Sequence, residues 1–219
     1  FIKILQNVEN NNLNFMNFGY WDDEYMSLTN ANKKLCDFII NNTNLHNNKM
    51  FDIGCGYGEQ DFYWNSKYKC NITALDGSKC MLDELNQKLK IHDINDVVVV
   101  NEKLEANSLL NKSFDLIISN SVLHHVKSPS LFWENVIDLT KPGGFIAVMD
   151  LFRPETESSL IKTLKTYGGN DPVLLKDFEN SLRAAYTIDE VHEQLLKSRA
   201  ITYNVKPISD RHFFVTIDR

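Results

Sequence analysis

Apolar residues fall along the chain in two alternating rhythms. Short, mostly apolar runs, Met50–Ile53, Asn71–Leu75, Val97–Val100, Phe114–Ser119 and Phe145–Met149, read as strands, and the lack of polar alternation in Val97–Val100 and Phe114–Ser119 implies cover on both faces. Between them, apolar residues recur at helical spacing. Thr29–Ile40 carries Ala31, Leu35, Phe38 and Ile39, and a helix opens at Glu59–Ser66. Ser78 serves as N-cap for a helix through Lys90 with Met81, Leu82, Leu85 and Leu89 on one face, and a further helix runs over Ser130–Leu139 to a stop at Pro142-Gly143-Gly144. Strand and helix alternating without a break predict right-handed crossovers in an open, doubly wound α/β sheet with helices on both faces.

Residues 151–186 interrupt that rhythm. Pro154, Gly168-Gly169 and Asp171-Pro172 punctuate two short helical stretches, Glu157–Lys165 and Leu174–Leu182. An insertion here lies over the carboxyl ends of the strands, where open α/β sheets bind ligands, so it is a candidate substrate cap. Thr187–Ser198 is the last helix. The strands Ala200–Val205 and His212–Ile217 that follow are joined by too few residues for a crossover and are expected to be antiparallel to each other. Upstream, residues 1–28 combine Ile2, Ile4, Leu5 and Val8 with the aromatic run Phe15, Phe18, Tyr20, Trp21 and Tyr25, a pattern that suits either a lid or a helix packed on the sheet.

Composition narrows the class. At 219 residues and 25.3 kDa the chain suits a single domain over 1–219, and 43% hydrophobic with 24% charged residues is globular. No apolar run approaches the ~20 residues of a membrane span. A net charge of −6 gives no general field for phosphates, so a small-molecule partner is expected rather than nucleic acid or a membrane. Cys36, Cys55, Cys70 and Cys80 form no C-x-x-C pair, which implies reduced thiols and a cytoplasmic setting, and no metal site is expected. The chain begins at Phe1, which leaves open a free enzyme or a domain of a longer polypeptide, as monomer or homodimer.

The chemistry centres on Asp52-Ile53-Gly54-Cys55-Gly56-Tyr57-Gly58, a strand end followed by glycines at every second position and then a helix start. A dinucleotide fingerprint would place its third glycine where Glu59 stands. With Asp76 further on, Phe114–Ser119, Val122-Leu123-His124-His125-Val126 and Leu139-Thr140-Lys141-Pro142-Gly143-Gly144, the pattern resembles the class I S-adenosylmethionine (SAM) dependent methyltransferases over Lys49–Asp150. Asn17-Phe18-Gly19-Tyr20-Trp21 and the paired histidines are most similar to the subgroup that methylates small natural products.

The resemblance implies a Rossmann-like seven-stranded sheet, mostly parallel with an antiparallel last strand. It implies SAM as cofactor, S-adenosylhomocysteine as product, and transfer to an oxygen or nitrogen of a small molecule. The implied cofactor residues are Tyr20, Asp52, Gly54, Cys55, Gly56, Gly58, Gln60, Asp76, Gly77, Lys103, Leu104 and Asn120. Asp76 suits both ribose hydroxyls because a carboxylate accepts through two oxygens. Where family members often place Asp then Ala, this chain has Lys103 and Leu104, so adenine recognition is expected to shift to Glu102, Glu105 or a backbone carbonyl.

For the chemical step the resemblance points to His124 as general base, Asp150 as orienter or alternative base, and His125 for either role. His46, His92, His192 and His212 read as surface or packing residues, and Cys55 as a small filler. Two other functions compete: a SAM-binding module that regulates a partner without turnover, and methylation of a protein or nucleic acid. Methylation of base nitrogens would want Asn or Asp followed by Pro-Pro-aromatic, whereas Ser119-Asn120-Ser121-Val122 stands here.

Overall fold

The structure, a computed structural model, describes residues 37, 39, 49–104 and 113–219. The expected N-terminal lid with Tyr20 and Trp21, most of the Thr29–Ile40 helix, Cys36, His46 and Glu105 lie outside the described residues.

In chain order the elements are β1 (Lys49–Ile53), α1 (Glu59–Tyr68), β2 (Asn71–Leu75), α2 (Lys79–Ile91), β3 (Val97–Val100), β4 (Phe114–Asn120) and a 3-10 turn (Leu123–His125). Then come α3 (Pro129–Leu139), β5 (Thr140–Leu151), α4 (Glu157–Tyr167), α5 (Pro172–Ala184), α6 (Ile188–Lys197), β6 (Thr202–Pro207) and β7 (His212–Asp218). The strands form one seven-stranded sheet in the order β3-β2-β1-β4-β5-β7-β6. Pairing from β3 through β5 is parallel, while β7 runs antiparallel to both of its neighbours, β5 and β6.

Alternate residues of each central strand serve opposite cores, which is why the runs carry no polar alternation. On one face Phe51, Ile53, Ile117, Ile146, Val148 and Val215 meet Phe132, Trp133 and Val136 of α3 and Val191 and Leu195 of α6. On the other, Met50, Ile72, Leu116, Ile118, Ala147 and Met149 meet Ile39, Trp64 of α1 and Leu82, Leu85 and Leu89 of α2.

Two expectations need correction. β3 is an edge strand, and Val98 is 54% exposed although Val97–Val100 reads as covered on two faces. β5 begins at Thr140 rather than Phe145, because pairing with Phe114 resumes directly after α3. The Lys-Pro-Gly-Gly stretch becomes a bulge, with Leu116 next opposite Phe145. Gly143 at φ 77 supplies the left-handed residue of that bulge, and Gly144 accepts a bond from Arg219 N at 3.0 Å.

The interrupting segment is built from well-capped helices. Thr156 and Ser159 form a capping box at α4, as do Thr187 and Glu190 at α6. Asp171 Oδ1 accepts from Val173 N at 2.8 Å and Leu174 N at 3.2 Å, and Pro172 follows as first helical residue, so α5 starts earlier than the apolar spacing alone indicates. Leu160 of α4 and Leu182 of α5 close with Ala185 over Leu151 at the carboxyl end of β5, and α5 also rests on the 3-10 turn.

Candidate active site

The carboxyl ends of β1, β2, β4 and β5 bring the candidate residues to one rim. After β1 the chain turns sharply: Gly54 N and Cys55 N both donate to Leu75 O, at 2.7 and 3.1 Å, and Gly58 N donates to Cys55 O at 2.9 Å. Gly54 has φ 80, and a Cβ there would sit 2.2 Å from Val122 Cγ2. Gly58, at φ 72, would place one 2.3 Å from Leu85 Cδ1. Glycine is therefore required by backbone sign and by the closeness of the β4 loop and α2.

Asp76 ties this turn to the next one. Its Oδ2 accepts from Gly56 N at 3.0 Å and its Oδ1 from Ser78 N at 2.7 Å, leaving each oxygen lone-pair capacity for a further donor. Gly77 is exposed, Gln60 is half-buried, and Lys103 Cγ would lie 3.9 Å from a Cβ at Gly77. Leu104 turns into the α3-side core and its carbonyl accepts from Asn135 Nδ2 at 3.3 Å, so the expected adenine segment presents Lys103 toward the rim and withdraws the Leu104 side chain.

Asp52 is buried on the α1 side of β1, and its pKa is pushed up to about 7 by burial, with the Asp76 charge adding to it. Asp61, in the first turn of α1, is fully buried and pushed well above the ordinary carboxyl range by burial and the facing Asp52. Burial, then Asp61, Asp52 and Asp76, hold the Cys55 thiol far above its usual value, which removes it as a nucleophile. Nothing in the local sequence separates Asp61 from an ordinary helix-start acid, and sequence reasoning missed it.

At the end of β4, Asn120 Oδ1 accepts from Ser121 Oγ at 3.2 Å, and Ser121 adopts φ 58, a strained sign for a non-glycine residue. That kink aims the 3-10 turn at the end of β5. His124 Nδ1 lies 2.6 Å from Asp150 Oδ1, and His124 N donates to Asp150 Oδ2 at 3.1 Å. Leu151 N donates to Asp150 Oδ1 at 2.6 Å, so the carboxylate is held from both strands. The His124 and Asp150 side chains are 3% and 1% exposed. His125 is exposed, with its ring 3.9 Å from that of His124. Burial and then His124 depress the pKa of His125, against a smaller opposing pull from Asp150.

The other histidines divide. His92 packs edge-on against Phe62 and His192 lies beside Tyr203, as packing residues do. His212 is 2% exposed and pairs across the sheet with Leu151, because the reversed β7 starts at this same rim. Burial and then the Arg211 charge push its pKa down to about 3, and its Nδ1 lies 3.0 Å from Ser209 Oγ. Among the described residues no cluster of His, Cys, Asp and Glu could hold a metal ion, and no helix is long and apolar enough to cross a membrane.

Glycine backbone, Asp76 with acceptor capacity and the two buried carboxyls of Asp52 and Asp61, with the nearby Lys88 paired to Glu59 and Glu84, suit a cationic nucleoside that carries no phosphate. Residues 51–148 match the family model for a methyltransferase domain. The chain is 28% identical over 138 residues to 27-O-demethylrifamycin SV methyltransferase of Amycolatopsis mediterranei (strain S699), covering 62% of this chain and 50% of that protein. It is 22% identical over 140 residues to erythromycin 3''-O-methyltransferase of Saccharopolyspora erythraea, covering 63% and 46%. The chain thus spans about half the length of the curated relatives it matches. The plantazolicin methyltransferase BamL, solved with a triazolic desmethylPZN analogue and SAH, shares the fold at TM-score 0.70 and 18% identity, over 87% of this chain and 84% of that one.

Proposed function

We propose that the chain is a class I SAM-dependent methyltransferase that methylates an oxygen or nitrogen of a small-molecule acceptor, with His124 as general base oriented by Asp150. The observation that carries this reading is the 2.6 Å contact between His124 Nδ1 and Asp150 Oδ1 at the rim where β4 and β5 end. Bound in the turn after β1, SAM supplies an electrophilic methyl group on a sulfonium. Asp76 would receive the ribose hydroxyls, and the glycine turn with Asn120 would hold the methionyl part. A proton on His124 Nδ1 is held by Asp150, which leaves Nε2 as the basic atom for the acceptor's proton. The cap helices α4 and α5 exclude water around that pair. Both natural-product O-methyltransferase relatives support a small acceptor.

Loss of Asp76 should be felt in binding first. Asp76→Ala removes the ribose acceptors and also the bonds to Gly56 N and Ser78 N, so SAM affinity should fall by about 1–3 kcal/mol in calorimetry. Unchanged affinity would remove Asp76 from the site. Turnover on a panel of hydroxyl and amine acceptors tests the function itself: SAM binding without turnover on any of them would favour a regulatory SAM-binding module.

A further inference from the structure

Two carboxyl groups face one another under the glycine turn, and helix capping explains neither of them. Asp52 is the last but one residue of β1, beside the turn. Asp61 occupies the third position of α1, where an acid ordinarily reaches back to the N-cap amide, but Gly58 N is already bonded to Cys55 O at 2.9 Å. Asp61 is 0% exposed, and among the described residues no donor reaches either of its oxygens. With both groups ionised, neither oxygen of Asp61 has anything to accept, so a proton carried by one carboxyl is the donor left for the other. Buried acids without partners are costly, and an alkyl side chain would fill the same volume without that cost.

Lys88, which lies over the Tyr57 ring at the turn, is paired with Glu59 at 3.2 Å and Glu84 at 3.4 Å. The groups that bear on the pair are Asp76 from the end of β2 and the Cys55 thiol from the turn; among the described residues, no lysine, arginine or histidine does so. Three carboxyls, Asp52, Asp61 and Asp76, therefore gather around one glycine turn. SAM bears a net charge of +1 at neutral pH. Its demethylated product has a neutral sulfur and no net charge.

We propose that Asp61 is a positioning residue of the cofactor site that shares one proton with Asp52 in the free protein, and that binding of a cationic ligand expels this proton to solvent, so that the site favours SAM over S-adenosylhomocysteine. The balance is simple: the ligand's positive charge enters, one proton leaves to the buffer, and the pair becomes two carboxylates. Affinity for SAM then tightens as pH rises while the free pair still holds its proton, and levels off once it does not. The neutral-sulfur product drives less release. This inference rests on the SAM reading of the site.

Calorimetric titration in two buffers of different ionisation enthalpy measures the release directly. For the intact chain near pH 6.5, SAM should expel about one proton per site and S-adenosylhomocysteine clearly less. Asp61→Asn should abolish the release and reduce the SAM-to-product affinity ratio by about 10-fold. Equal release by the two ligands, or release that survives in Asp61→Asn, would overturn the proposal. Should the variant not fold, the comparison of the two ligands on the intact chain still decides. No heat and no thermal shift with either ligand would overturn the SAM reading itself, and this inference with it.

Discussion

Replacing His124 with alanine is expected to lower turnover by about 10²–10⁴-fold while leaving SAM affinity close to that of the intact chain, because general-base catalysis contributes on that scale and the cofactor is held by other residues. Asp150→Asn should give a partial loss. The amide still accepts from Leu151 N, but it no longer stabilises an imidazolium at His124. If His125 were the base, His125→Ala would carry the loss instead, and the acid limb of the pH profile would lie below the ordinary histidine range, since burial and its neighbour His124 hold that group down. Turnover and SAM affinity measured on the same preparations separate the two. Near-normal turnover in all three variants would mean that positioning and desolvation alone carry the transfer.

Gly54→Ala should be the most damaging change to the cofactor side. Its φ of 80 penalises any L side chain, and the new Cβ would fall 2.2 Å from Val122 Cγ2. Strain and overpacking together should cost about 2–4 kcal/mol of folding stability, read by denaturant unfolding. Val122 immediately precedes the turn that carries His124, so the surviving folded protein should also lose turnover as the His124–Asp150 contact is pushed out of register. Stability and turnover both within error of the intact chain would refute the close approach of the two loops.

Strand order and site did not read equally well from the residues. Asn71–Leu75 and Val97–Val100 are found at the expected bounds because each is flanked by breakers and its apolar run is complete within itself. Whether such a run ends up central or at an edge depends on neighbours far away in sequence, and Val98 shows it. The start of β5 was hidden because Pro142-Gly143-Gly144 is a local stop signal, overridden by bonds from the far end of the chain at Arg219. His124 and Asp150 were legible as neighbours, since His124 closely follows β4, Asp150 stands near the end of β5 and the two strands are adjacent. Asp61 and His212 were not. An acid in a first helical turn looks solvated, and the position of His212 at the rim depends on β7 running backwards between β5 and β6.

That reversed insertion has a consequence for biosynthesis. β6 precedes β7 in the chain but joins the sheet only through it. Until residues 212–218 have left the ribosome, β6 has no ladder partner and the β5 edge, with Ile146 and Val148 beside it, stays open. The rim around Asp150 therefore cannot close vectorially as the chain emerges. It must wait for β7, so nascent chains stalled before that point would be exposed to edge pairing and to chaperone capture.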